Sequence, residues 1–252
     1  MNTHKKRADQ LLVEKGFFDS REKAKRHIMA GQVFFLKGQG WQRVEKPGSC
    51  YSFDTKFKVK AKERFVSRGG YKLLTAIEHF RLNVQEKVCL DVGASTGGFT
   101  DCLLQHGAKK VYALDVGRGQ LDWKLASDAR VINLEGVNIR HASADLLDQT
   151  VDLIVIDCSF ISLKLVLPAC LQFLKPEGEV IALIKPQFEV GKGQTVKGIV
   201  KSQDKIEQVI AELRGFIEQE LLLEYKGIIP SKIKGTKGNQ EYLVYLKNKI
   251  GN

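Results

Sequence analysis

From Lys87 onward the chain alternates short apolar runs with helical segments, a rhythm that few folds accommodate. The runs fall at 88–92, 111–114, 130–134, 151–156, 180–184, 222–229 and 242–246. Helical periodicity lies between the earlier ones, near 98–105, 120–126, 163–174 and 204–218. Strand-length apolar runs joined by helix-length segments predict an α/β fold with a doubly wound, mostly parallel sheet. No long helix separates the last two runs, so they are expected to pair antiparallel at one edge.

The first run leads into Leu90-Asp91-Val92-Gly93-Ala94-Ser95-Thr96-Gly97-Gly98-Phe99, which then opens a helix. Glycines there let a ligand approach the backbone closely, and a helix start offers unpaired N–H groups. The spacing Gly93-x-x-x-Gly97-Gly98 differs from the dinucleotide pattern G-x-G-x-x-G. It resembles the first motif of S-adenosylmethionine methyltransferases, Asp-x-Gly-x-x-x-Gly-Gly-Phe. Taken alone, such a segment also binds nucleotides or simply packs tightly. The second run adds Asp115, 24 residues after Asp91. A carboxylate at that strand end can accept both hydrogen bonds of a ribose diol. The resemblance implies a Rossmann-like methyltransferase with S-adenosylmethionine held by Asp91, Gly93, Ala94, Ser95, Thr96, Gly97, Gly98, Phe99 and Asp115. It also implies Asp157 at the cofactor and Asp145 at the adenine amino group.

The fourth run ends Ile156-Asp157-Cys158-Ser159-Phe160. Amino-group methyltransferases often carry Asn/Asp-Pro-Pro-Tyr at this point, and its absence speaks against a base nitrogen as acceptor. Lys185 ends the fifth run, Glu241 opens the last, and Lys72 stands in a helix just before the sheet. A lysine at an otherwise apolar strand end is costly to bury unless paired. Charged residues at strand carboxyl ends also lie where α/β folds bind ligands. The set Lys72, Asp157, Lys185 and Glu241 resembles the tetrad of FtsJ-type ribose 2′-O-methyltransferases. That resemblance implies Lys185 as general base, Lys72 as a neighbouring positive charge, and Asp157 and Glu241 as the groups that orient the lysines. Cys158 beside Asp157 is a weaker, nucleophilic candidate.

Residues 1–62 hold 15 Lys and Arg against 6 Asp and Glu, a balance of +9 in a chain of net charge +11. A compact basic module on a nearly neutral body suggests a polyanionic partner. Its pattern is helix, helix, then short strands, with Ser20 capping a second helix over 21–29 and strands expected at 32–36, 48–53 and 57–59. Arg7-Ala8-Asp9, Ser20-Arg21-Glu22-Lys23-Ala24 and Gly31-Gln32-Val33 resemble the small α+β S-four-like RNA-binding domain. Arg7, Arg21, Lys23, Lys25 and Arg26 are therefore expected to meet RNA phosphates. Arg64 and Arg68 join them from residues 63–71, which read as a linker because of Gly69-Gly70.

Together with Ser67-Arg68-Gly69-Gly70-Tyr71-Lys72-Leu73, these features resemble the TlyA family over essentially the whole chain. The family linker has tryptophan where this chain has Phe65. Membership implies an S-adenosylmethionine-dependent ribosomal RNA (cytidine-2′-O)-methyltransferase, with residues 72–252 as the methyltransferase domain and a ribosomal subunit as partner. The glycine- and lysine-rich stretch 186–202 reads as a mobile substrate loop, with Lys192, Lys197 and Lys201 placed to touch phosphates or to remain solvated. A second basic loop, 231–238, precedes Glu241.

Other classes of function leave fewer traces. The five cysteines are widely spaced and lack a Cys-x-x-Cys pair, which disfavours disulfides or a metal site. No apolar run reaches membrane-spanning length and no signal peptide is evident, so a cytoplasmic protein without membrane contact is expected. A membrane-active haemolysin would need an amphipathic apolar face that is not evident. A non-catalytic ribosome-assembly factor would not need the glycine turn and the four charged residues together. The sequence does not fix the oligomeric state; a monomer is compatible with it.

Overall fold

The computed structural model describes residues 5–60, 63–191, 193–235 and 237–249. The chain divides into two compact units, 1–64 and 65–252. The first opens with β1 (Lys6–Arg7), α1 (Ala8–Glu14) and α2 (Arg21–Met29), followed by β2 (Val33–Lys37), β3 (Gly40–Arg43), β4 (Cys50–Tyr51) and β5 (Phe57–Val59). Ala8, Leu11 and Leu12 of α1 and Ala24 and Ile28 of α2 form its core with Phe18, Val33, Val44 and Phe57. Ser20 caps α2, accepting from the Lys23 N–H at 3.3 Å. Among the described residues β2 pairs antiparallel with β3 and β5, while β4 pairs with β1. The strand expected at 48–53 is reduced to Cys50–Tyr51, and β3 was not foreseen. All four β3 residues are exposed, so this edge strand has no apolar alternation to reveal it.

The second unit continues with α3 (Gly69–Phe80), β6 (Val88–Val92), α4 (Gly98–Gln105), β7 (Lys110–Asp115), α5 (Trp123–Ala126), β8 (Val131–Glu135), β9 (Val151–Ile156) and α6 (Leu163–Leu171). Then follow β10 (Leu174–Ile184), α7 (Pro186–Glu189), α8 (Gln203–Gly215), β11 (Glu224–Pro230) and β12 (Tyr242–Lys247). Among the described residues one seven-stranded sheet has the order β11-β12-β10-β9-β6-β7-β8. Strands β6 to β10 pair in parallel, and β12 runs against both β10 and β11. Side chains alternate between two cores: Leu90, Val92, Ile154 and Ile156 enter one, Cys89, Leu153 and Val155 the other. Burial of both faces explains why these strands read as continuous apolar runs.

Residues 65–71 differ from the expected linker. Helix α3 already begins at Gly69, and Phe65 is buried against its first turn. A Cβ on Gly70 would stand 2.3 Å from Phe65 Cγ, so glycine serves close packing here. The Val66 N–H donates to Asp101 Oδ2 at 2.9 Å, fixing the same segment. Helix α5 is shorter than the periodicity suggests, because Glu135 accepts the N–H groups of Gly119, Gln120 and Leu121 and holds them as a loop.

Candidate active site

The sheet order reverses at β6, whose neighbours are β7 and β9, and the crevice beyond such a reversal is where open α/β sheets bind ligands. The glycine turn leaves β6 at this crevice. The N–H groups of Gly93 and Ala94 donate to Leu114 O at 2.8 and 3.0 Å, and that of Asp157 to Val92 O at 3.0 Å, so three strand ends are tied together. Gly93 adopts φ +85°, and a Cβ on it would lie 2.8 Å from Asp157 O. Any side chain there would strain the backbone and push the two turns apart.

Asp91 supports this turn from beneath. Its Oδ2 accepts from the Thr100 N–H at 2.9 Å and from Thr100 Oγ1 at 2.7 Å. Its Oδ1 is buried with no hydrogen-bond partner among the described residues. Burial pushes this carboxyl up to about 7, against the opposing pull of the Thr100 hydrogen bonds. Asp115 accepts from the Ser95 N–H at 2.8 Å and the Gly117 N–H at 2.7 Å, linking the glycine turn to the loop after β7.

Four charged side chains meet in one chain of ion pairs. Lys72 Nζ lies 2.7 Å from Glu241 Oε2 and 3.6 Å from Asp157 Oδ2. Lys185 Nζ lies 2.5 Å from Asp157 Oδ1 and donates to Ser159 Oγ at 2.8 Å. The side chains of Lys72, Lys185 and Glu241 are 11%, 7% and 3% exposed, so the charges must neutralise one another. They come from α3, the ends of β9 and β10, and the residue before β12. Cys158 is different. Burial pushes its thiol up to about 12 and it points at Val92 O, which leaves it protonated and unsuited to attack.

A cleft of about 760 Å³ opens above these residues. Gly93, Ala94, Ser95, Thr96, Gly98 and Phe99 line it with Asp157, Lys72, Lys185 and Glu241. Asp91, Gly97 and Asp115 are not among its lining residues; Asp115 and Asp91 reach it through their hydrogen bonds to Ser95 and to Thr100, which follows Phe99. Asp145 is not brought to it: the carboxylate is exposed on a 3-10 turn and accepts from Ser143 Oγ. Sequence reasoning missed several lining residues. Phe160, 89% exposed and in the left-handed region at φ 64°, lies with its ring centroid 5.0 Å from that of Phe188. Gln187 has a buried side-chain oxygen without a partner among the described residues. Buried Asn239 accepts from the Val200 N–H at 3.1 Å and donates to Gly198 O at 2.8 Å. Within the stretch 186–202 expected to be mobile, Gly198 and Val200 are thereby anchored beside the cleft. Lys197 and Lys201 are exposed on it, and Lys192 lies outside the described residues.

The basic residues expected to meet RNA divide into two kinds. Asp9, fully buried, receives Arg7 Nε at 3.0 Å and Arg21 Nη2 at 3.0 Å. Burial pushes its carboxyl up, but the hydrogen bonds and charges of these arginines outweigh that and hold it below the usual range. Arg7 and Arg21 therefore have a structural task. Lys23 and Lys25 only pair with exposed Asp19 and Glu22 on the helix surface, and Arg26 is exposed. Arg68 lines the cleft and donates to Lys234 O at 3.3 Å.

Residues 65–248 match the FtsJ-like methyltransferase family. The 16S/23S rRNA (cytidine-2'-O)-methyltransferase TlyA of Mycobacterium tuberculosis is 42% identical, over 96% of this chain and 89% of that one. Hemolysin A of Brachyspira hyodysenteriae is 40% identical, over 95% of this chain and 98% of its own. The chain is an FtsJ-like methyltransferase of the TlyA–haemolysin A family. A solved structure named for a hemolysin of Streptococcus thermophilus, 42% identical, superposes on this FtsJ-like methyltransferase with a TM-score of 0.73, covering 98% of this chain and 90% of that chain. No described helix of this family member is long and apolar enough to cross a membrane. Among its described residues no group of three or more His, Cys, Asp or Glu could hold a metal ion.

Proposed function

We propose that the chain transfers a methyl group from S-adenosylmethionine to the ribose 2′-hydroxyl of a cytidine in ribosomal RNA. The observation that carries this is the buried Glu241–Lys72–Asp157–Lys185 chain, set at a cleft that the glycine turn also lines. The residues fit the cofactor. Gly93 presents bare backbone to the cleft, α4 starts beside it, and the volume is that of a small-molecule site. Gly93 to Phe99 and Asp157 would hold the cofactor, with Asp115 bracing the turn. When bound, S-adenosylmethionine supplies a methyl group made electrophilic by its sulfonium. Lys185, once its ammonium has released a proton to solvent, would take the proton of the ribose 2′-hydroxyl. Asp157 fixes the Lys185 amine on one side and Lys72 on the other, and Glu241 holds Lys72. With these groups locked by ion pairs, alignment of the hydroxyl contributes alongside the base.

The acceptor follows from chemistry and kinship. A lysine base at strand five suits a hydroxyl, and the M. tuberculosis relative is named for the cytidine 2′-oxygen. Exposed Phe160, with half-buried Phe188 beside it, offers an aromatic face to a nucleobase. Residues 1–64, with 16 Lys and Arg against 7 Asp and Glu, serve as the S-four-like RNA-binding unit. Ribosomal subunits from cells lacking this protein, incubated with purified enzyme and labelled S-adenosylmethionine, provide the test. Label is expected on a cytidine ribose, with the rate lowered at least about 100-fold in Lys185→Ala. Label on a base nitrogen, or full activity of Lys185→Ala, would overturn the proposal.

A further inference from the structure

Lys185 has a second partner besides its carboxylate. The Ser159 hydroxyl, two residues beyond Asp157, accepts its ammonium at 2.8 Å. Asp157 Oδ1 lies 2.5 Å from the same nitrogen. All three residues line the cleft. Lysine nitrogen is tetrahedral, with three directions beyond Cε. Asp157 and Ser159 occupy two of them, and one remains.

We infer that Ser159 is a positioning residue that sets the direction of the Lys185 lone pair. This rests on Lys185 acting as the base proposed above. In the neutral amine two N–H groups and one lone pair share the three directions. If Asp157 and Ser159 each accept an N–H, the lone pair is confined to the third, and the proposed role requires that direction to open on the cleft that Lys185 lines. The carboxylate alone leaves the amine free to rotate about Cε–Nζ and to present an N–H where the hydroxyl proton must arrive. A serine hydroxyl suits this task because it accepts an N–H from the charged and the neutral amine alike, so the arrangement survives proton transfer. Ser159 is also exposed, whereas Lys185 is buried, so the serine can be altered with little effect on packing.

The full-length enzyme, ribosomal subunits from cells lacking it, and single-turnover methyl transfer measured across pH form the test. Ser159→Ala is expected to slow transfer roughly tenfold and to displace the pH–rate profile, with KM for S-adenosylmethionine changed by less than about twofold. Ser159→Thr keeps an oxygen at the same position and is expected to restore both rate and profile. A Ser159→Ala enzyme with wild-type rate and profile overturns the inference, as does a Ser159→Thr enzyme as slow as the alanine variant. Lys185→Ala in the same assay separates the two levels. If it retains the wild-type rate, the base assignment itself fails. If it is slow while Ser159→Ala is fully active, only the role of Ser159 is lost.

Discussion

Asp91 is fully buried, and one of its oxygens has no partner among the described residues. Its carboxyl is raised from 3.8 to about 7, chiefly by burial. Between those values the folded protein holds a proton that the unfolded chain has released. Asp91 therefore contributes most to stability below about pH 4, and that contribution is lost as pH rises to about 7, by an amount on the order of 4 kcal/mol. Asp91→Asn keeps an acceptor for Thr100 without a titrating proton. Urea denaturation from pH 4.5 to 8 should show wild type losing stability relative to this variant until about pH 7 and running level above it; a constant difference would contradict the assignment. Glu241 presents the opposite case, a buried carboxylate with its cation 2.7 Å away. Lys72→Met strands it and should destabilise the fold by roughly 3–5 kcal/mol. Adding Glu241→Gln should recover most of that loss in thermal melts. Asp157, Lys185 and Glu241 were legible as charged residue types at strand ends, and Lys72 as a lysine in the helix before the sheet. Ser159 was not, because its bond to Lys185 joins residues 26 apart in sequence and only the folded sheet makes them neighbours.

Elements were readable where chemistry marked their ends and opaque where tertiary contacts did. Strand β6 and helix α4 have the bounds read from sequence, since apolar residues fill the one and Gly97-Gly98 announces the other. Helix α3 begins at Gly69, inside the stretch read as a linker, because Gly69-Gly70 signals a break when read alone. Its function there is contact, and Gly70→Ala should force the Phe65 ring aside at a cost of about 1–3 kcal/mol, measurable by denaturation. The stretch after β10 carries two anchors that its composition does not announce. Its glycines and lysines suggest mobility, yet Asn239 holds Gly198 and Val200 through two hydrogen bonds from a side chain only 4% exposed. Asn239→Ala removes both and leaves the backbone groups to solvent. Trypsin should then cut after Lys197 and Lys201 at least about tenfold faster than in wild type, reflecting the lost local stability. Equal cleavage rates would mean that other contacts hold the segment.

Across the whole molecule charge and chemistry are divided. Residues 1–64 carry +9 of the net +11, while the ion-paired site and its cleft belong to residues 65–252. Phosphate contacts confer affinity and a steep salt dependence but little sequence information, so under the proposed function the basic unit would supply capture and the cleft selection. The asymmetry was visible in sequence; the division of labour among its arginines was not, because only the fold buries Asp9 between Arg7 and Arg21. Removing either arginine should weaken the first unit itself. The surface pairs Lys23–Asp19 and Lys25–Glu22 are worth at most about 1 kcal/mol each, so these lysines can exchange carboxylate for phosphate at small cost. Replacing Lys23, Lys25 and Arg26 together with alanine in the full chain should therefore leave its melting temperature nearly unchanged. Each phosphate contact contributes about 0.9 to the slope of log affinity against log salt. The triple variant should bind ribosomal RNA with a slope shallower by about 2–3, and with KM for S-adenosylmethionine unaltered. An unchanged slope would show that the cations engaging RNA lie elsewhere, with Arg68, Lys197 and Lys201 the next to replace.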